Sequence, residues 1–210
     1  MTTPAELIAC QDALCETGRM FHQRGWSLGT SSNYSVVLQQ QPLQLLVTAS
    51  GKHKGRLTRN DFVQVGTDGK PLYEDQPKSS AETLLHVAIA QETTAGAILH
   101  THSVWATVLS EQFFSEGAIK ITDYEMLKGL DNVTTHQHLE HLSIFDNTQD
   151  IAQLATDLRD RFQQQPEQLA HGFLIRQHGL YTWGETLDDA QRQIEVFEFL
   201  LECIGLRGHS

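Results

Sequence analysis

Cysteine is scarce in this chain of 210 residues, and its three copies, Cys10, Cys15 and Cys203, form no Cys-x-x-Cys pair. An odd set at that spacing excludes a disulfide framework and a zinc knuckle, and predicts reduced thiols. Apolar runs stay well below the ~18 residues of a membrane span. The opening MTTPAELIACQDALCETG has neither the basic flank nor the apolar centre of a secretory signal. The expectation is therefore a cytoplasmic protein without a membrane partner. Positive charge is also short, with 15 Lys and Arg against 26 Asp and Glu and a net charge of −11. That surplus disfavours nucleic acid and anionic membranes as partners, while leaving room for a local basic pocket that holds one phosphate. Internal repeats and low-complexity tracts are missing, and only the polar segment Tyr73 to Lys78 resembles a linker. What is present is a 40% hydrophobic content, enough at this length to bury one sizeable core. One domain spanning 1–210 is expected.

After Pro4, the spacing of Leu7, Cys10, Leu14 and Phe21 predicts an amphipathic helix that stops near Gly25. Tyr34 to Leu38 and Leu43 to Thr48 are short and rich in Val and Leu, and read as neighbouring antiparallel strands. Phe62 to Val65 adds a strand with a turn at Thr67 to Lys70. Ser79 and Ser80 read as caps of a helix carrying Leu84, Leu85, Ala88 and Ile89, with Glu82 completing a capping box. Ile151, Leu154, Leu158 and Phe162 predict a later helix, and Leu187 through Ile204 a longer one. Between these two, Gly172 to Arg176 and Leu180 to Trp183 read as strands around Gln177-His178-Gly179. Few crossovers suit a purely parallel sheet, so the expected fold class is α/β, with a central mixed, mainly antiparallel sheet flanked by helices.

The run AGAILHTHSVWATVLS, residues 95 to 110, delivers His100 and His102 two positions apart. In an extended strand, residues i and i+2 share a face, so two such imidazoles can converge on one metal ion. Taken alone, a His-x-His pair is more often a polar strand face. His178 lies at a glycine-containing turn, where its ring projects from a strand end and makes a natural third ligand. Three histidines with an open fourth position describe a catalytic zinc site. A second cluster, His136, His138 and His141 in TTHQHLEH, lies in polar, loop-like surroundings and reads as solvated histidines. Gly29 to Asn33 and Thr48 to Lys52 combine backbone N–H access with hydroxyl donors, and Lys52, His53 and Lys54 add charge nearby. Each segment alone also fits an ordinary turn, but together they suit a phosphate.

Six segments carry a resemblance over nearly the whole length: GTSSNYS (29–35), TASGKHKG (48–55), KSSAETLLH (78–86), HTHSVWATVLS (100–110), KITDYEMLKGL (120–130) and RQHGLYTWGET (176–186). The chain resembles the class II aldolase family, and the last two patterns resemble its dehydratase branch. The resemblance implies one Zn2+ per subunit on His100, His102 and His178, and a small sugar-phosphate substrate. It implies phosphate contacts at Asn33, Ser50, Gly51 and Ser80, with Lys52 alongside, though Ala81 stands where aldolases of the family carry a serine. Aldolases of the family place a catalytic glutamate at Glu82; dehydratases use the one matching Glu125, and this chain has both. Glu125 is the preferred acid/base for removing water from a ketose phosphate, which requires a raised pKa. Glu82 stays open as a helix cap, a neighbour of the metal or a second proton carrier. The resemblance further implies a homotetramer with sites near subunit borders. An aldolase or epimerase acting on another sugar phosphate, and a zinc-containing binding protein without activity, remain the alternatives at this point.

Overall fold

The computed structural model describes residues 2–208; Met1, His209 and Ser210 of the expected 1–210 domain lie outside the described residues. Helix α1, Pro4–Gln23, begins where Thr3 and Glu6 form a reciprocal capping box with Pro4 in the first turn, and it ends just before Gly25. Strands β1 (Asn33–Gln40) and β2 (Leu43–Thr48) pair antiparallel, and β3 (Phe62–Val65) adds to the far edge of β2.

Helix α2, Thr83–Glu92, starts later than the capping motif predicts. Glu82 is the N-cap residue, yet its side chain caps nothing. The Ser80 hydroxyl instead accepts from the Glu82 N–H at 3.3 Å, while the Glu82 carboxylate turns toward buried polar groups at the sheet end. Strand β4, Ala97–Thr101, is shorter than the apolar run that contains it. Ser103 ends the run by accepting from the Ala106 N–H at 3.0 Å, which starts α3 (Val104–Gln112), a helix the sequence reading did not resolve. Also unforeseen are β5 (Ala118–Ile121) and β6 (Glu140–Phe145). The later elements fall where expected: α4 (Ile151–Gln164), β7 (Gly172–Ile175), β8 (Gly179–Gly184) and α5 (Leu187–Arg207).

The strands form one eight-stranded sheet in the order β3-β2-β1-β4-β8-β7-β6-β5, with β6–β7 the parallel pair and the others antiparallel. This is the mixed, mainly antiparallel sheet expected. Side chains alternate across it, so two cores form. Leu14, Phe21, Leu109, Phe197 and Leu200 from α1, α3 and α5 pack on one face with Leu99 and Leu180. Leu85, Ile89, Leu154, Leu158 and Phe162 from α2 and α4 pack on the other with Ile98, Phe173 and Tyr181. Each fully buried aliphatic side chain stabilises by about 1.5–3 kcal/mol, so the sheet centre is the rigid part of the molecule. No described helix is long and apolar enough to cross a membrane.

The β4–β8 pairing decides where chemistry can occur. His100 lies opposite Tyr181 and Thr101 opposite Leu180, so the end of β4 meets the start of β8 and the turn that precedes it. Gly179 permits this approach, since a Cβ there would stand 2.0 Å from the Thr101 carbonyl oxygen.

Candidate metal centre and phosphate pocket

Three chain segments bring the predicted ligands together. His100 is the penultimate residue of β4, His102 follows the strand in the loop to α3, and His178 sits in the β7–β8 turn beside Gln177, whose φ is +51°. His102 therefore converges from just past the strand rather than from within it. Its N–H donates to the Trp26 carbonyl at 2.7 Å, which fixes the backbone where it leaves the sheet. The ring centroids are 4.5 Å apart for His100–His102, 5.0 Å for His100–His178 and 4.5 Å for His102–His178. One nitrogen from each ring lies within 4.8 Å of the others.

The tautomer of His100 follows from its neighbours. Its Nδ1–H donates to the Leu180 carbonyl at 2.9 Å, leaving Nε2 a buried lone pair without a hydrogen-bond partner. A histidine oriented by a backbone carbonyl through one nitrogen presents the other to a metal. Burial first, and then the neighbouring imidazoles, hold His100 well below the usual histidine range. Burial likewise lowers His102 to about 3, with His178 and Lys54 adding repulsion. Closely spaced imidazoles with an orphaned nitrogen are a donor set that fits a divalent cation.

Glu82 stands against this set, with one carboxylate oxygen 3.4 Å from His100 Nε2 and the other 3.3 Å from His178 Nε2. Asn33 Nδ2 donates to Glu82 Oε2 at 2.6 Å and the Tyr181 hydroxyl donates to the same oxygen at 3.0 Å. Because the Asn33 amide nitrogen serves Glu82, its Oδ1 must accept from His86 Nε2–H in a short contact. His86 Nδ1 then accepts from the Ser35 hydroxyl at 2.7 Å. Burial lowers His86 to about 3, in keeping with a neutral ring in this relay. The direction of every proton from Ser35 to Glu82 is thus set.

A cavity of about 450 Å³ opens on this group, lined by Asn33, Ser50, Gly51, Ser80, Glu82, His102 and His178. Ser32 at φ +70° and Gly51 at φ +71° shape its rim. Four of the five expected phosphate residues line it; Lys52 does not, and pairs instead with Asp61 Oδ1 at 2.8 Å. Lys54 is placed there instead. It is 1% exposed, lines the cavity and donates from Nζ to the Lys52 carbonyl at 2.8 Å. Burial pulls its pKa down to about 8. Lysine type and nearness to Ser50-Gly51 pointed to this charge, but only the fold separates Lys52 from Lys54.

Glu125 is not brought to the histidines within this chain. It opens a short 3-10 turn at Glu125–Gly129, its side chain is 72% exposed, and it pairs with Lys128 Nζ at 2.6 Å. The Lys128 ammonium holds its carboxyl below the usual range, opposite to the raised value expected of an acid at neutral pH. Tyr124 and Met126 are likewise absent from the cavity lining.

A helix-flanked mixed sheet with three histidines gathered at the end of its central strands, beside a glutamate at a helix start and a polar cavity, is the architecture of a class II aldolase-type protein. Residues 12–204 match the family described as Class II Aldolase and Adducin N-terminal domain, and the chain belongs to it. Among curated relatives, a methylthioribulose-1-phosphate dehydratase from Marinobacter nauticus is 47% identical over 192 residues, covering 91% of this chain and 90% of its own length. One of the same name from Pseudomonas fluorescens is 46% identical over 204 residues, covering 97% and 94%. Among solved structures, the l-fuculose-1-phosphate aldolase from Thermus thermophilus superposes with a TM-score of 0.70 at 22% identity, covering 96% of this chain and 95% of that one, a likeness of fold.

Proposed function

We propose that this chain is a metal-dependent hydro-lyase that dehydrates 5-methylthioribulose 1-phosphate to the 2,3-diketo-5-methylthiopentyl 1-phosphate, a step of methionine salvage in the cytoplasm. The observation that carries this reading is the convergence of His100, His102 and His178 on one point beside Glu82 and a cavity of about 450 Å³, in a chain 47% identical to a methylthioribulose-1-phosphate dehydratase. These relatives do not favour the aldolase or epimerase alternative.

His100, His102 and His178 would hold one Zn2+ per subunit, and the ion supplies Lewis-acid stabilisation of the negative charge that develops on the substrate's carbonyl oxygen. The protein's own groups do the rest. Ser50, Gly51 and Ser80 receive the phosphate, and Lys54 supplies a buried positive charge against it. Glu82, held by Asn33 and Tyr181, accepts the proton from carbon 3. Glu125 donates a proton to the carbon 4 hydroxyl, which departs as water, and the resulting enol tautomerises to the diketone. The exposure of Glu125 supports its delivery from a neighbouring copy in a homotetramer, whose interface would displace Lys128 and bury the carboxyl.

Turnover of methylthioribulose 1-phosphate by purified protein, followed by diketone absorbance before and after metal stripping and Zn2+ restoration, tests the reading. Diketone formation that needs the metal is the expected result. Metal-replete protein without turnover overturns it.

A further inference from the structure

The histidines of TTHQHLEH do not form the cluster that their spacing suggests. His136 is exposed beside Glu125, while His138 joins Glu140 and His171, a residue remote in sequence. The parallel pairing of β6 with β7, Ile144 opposite Leu174, brings the N-terminal ends of the two strands together. Glu140 opens β6 and His171 immediately precedes β7. The place is at the other end of β7 from the His178 turn, since Gly172 lies opposite Thr182 whereas Ile175 lies opposite Gly179.

Glu140 is 2% exposed, and a single oxygen, Oε2, faces His138 Nε2 at 2.8 Å and His171 Nδ1 at 2.9 Å. A carboxylate this deeply buried is held by cationic or hydrogen-bonding partners, and both imidazoles lie at hydrogen-bond distance from it. His171, 6% exposed, is oriented from behind, because its Nε2–H donates to the Asp131 carbonyl at 2.8 Å and leaves Nδ1 facing Glu140. As at His100, a backbone carbonyl fixes one ring nitrogen; here the other lies at hydrogen-bond distance from Glu140 Oε2. One donor atom each from His138, Glu140 and His171 lies within 4.8 Å of the others.

A second observation comes from the cavity of about 410 Å³ that His138 and His171 line together with Asp131, Trp183 and Gln193. Gln193 is 2% exposed, and its Nε2 donates to Asp131 Oδ2 at 3.2 Å and, in a short contact, to the Trp183 carbonyl. Both partners are acceptors, so the amide cannot be flipped, and Oε1 is left buried with no hydrogen-bond partner among the described residues. Gln193 lines the cavity, and a buried oxygen of this kind suits a donor that the described residues do not supply.

We propose that His138, Glu140 and His171 form a second divalent-metal site, distinct from the three-histidine centre, for an ion of the Zn2+ or Co2+ class. Two imidazoles and a carboxylate satisfy three positions and leave the cavity side open to water. The ion ties the loop that bears His138 to the start of β6 and β7. That loop follows the turn bearing Glu125, so metal at this site fixes the segment that presents Glu125.

The test counts bound Zn2+ per chain, after equilibration with buffered Zn2+ and desalting, in four proteins: wild type, His138→Ala, His102→Ala and the double variant. His138 is about one-third exposed, so its truncation should leave the fold intact, which circular dichroism checks. Glu140→Gln serves as an isosteric second probe. The expected result is a loss of one Zn2+ per chain on adding His138→Ala, in the wild-type and His102→Ala backgrounds alike, and the same loss for Glu140→Gln. Co2+ titrations show the matching loss of one set of d–d bands. A count that His138→Ala and Glu140→Gln leave unchanged overturns the site.

Discussion

Tyr181 stacks on His100 with ring centroids 4.0 Å apart and planes 12° from parallel, while its hydroxyl donates to Glu82 Oε2 at 3.0 Å. One aromatic residue thus sets the plane of a metal-facing imidazole and the position of the neighbouring carboxylate. The register places it there, since Tyr181 is the β8 partner of His100. Burial and the Glu82 charge raise the phenol well above its usual range, so Tyr181 remains a proton donor at every working pH.

Tyr181→Phe keeps the stacked ring and removes the donor. A hydrogen bond to a charged group is worth about 1.5–3 kcal/mol, so kcat should fall at least about tenfold if Glu82 must be held in place. Bound metal should stay at the wild-type level, because the ring that packs on His100 is preserved. Steady-state kinetics with metal analysis checks this, and an unchanged kcat would remove Tyr181 from the positioning of Glu82.

A buried acid behind the same strand should couple stability to pH. Glu198 is 3% exposed on α5 and accepts from the Thr101 hydroxyl at 3.0 Å. Burial raises its pKa from 4.5 to about 7, with Ser103 and Thr101 opposing the shift. Between these values the folded chain keeps a proton that the unfolded chain has lost. Stability should therefore fall as pH rises from about 4.5 to 7, by about 3 kcal/mol at most from this group, and then level off. Glu198→Gln should flatten that slope in urea unfolding at pH 5 and pH 8. Equal slopes in the two proteins would show that another group is responsible.

The strands of the sheet centre were legible because their residues are apolar on both faces, as at Ile98 and Leu99, and because His178 sits at a turn bounded by glycine. That pattern made His100, His102 and His178 candidates, and the resemblance to the class II aldolase family gave them the role of metal ligands. By contrast, α3 lay hidden inside an apolar run in which only the Ser103 cap marks the change from strand to helix. Strand β6 was masked because it opens on Glu140 and His141, the polar end of TTHQHLEH, and Glu140 is buried there. The Ser79-x-x-Glu82 spacing imitates a capping box, but the carboxylate is drawn away by Asn33 and Tyr181, partners 49 and 99 positions distant. The exchange of Lys52 for Lys54 has the same origin, since Asp61 claims the first and the cavity wall encloses the second.

Lys54 should govern phosphate recognition. Its ammonium is charged below about pH 8 and neutral above it, because burial has lowered its pKa. KM for the phosphorylated substrate should accordingly rise as pH passes upward through 8. Lys54→Met should raise KM by about tenfold, the worth of one charge-assisted hydrogen bond, with kcat within about threefold, and should abolish that pH dependence. A pH profile of kcat/KM identical to wild type would exclude Lys54 from the phosphate site.

Glu125 offers the sharpest separation between catalytic and structural roles. Its side chain is 72% exposed and its salt bridge to Lys128 is a surface pair, so Glu125→Gln should change stability by less than about 0.5 kcal/mol. Zn2+ at the three histidines should be retained while diketone formation falls by at least about 100-fold. If Glu125 of one copy serves the histidines of another, co-expression of Glu125→Gln with His102→Ala should restore activity. In a randomly mixed symmetric oligomer about one quarter of the sites would then combine an intact His102 with an intact Glu125. If Glu125 acted within its own chain, every site in the mixture would carry one defect and no activity would return. The mixing experiment therefore distinguishes a composite site from a self-sufficient one without depending on how strongly either variant is impaired alone.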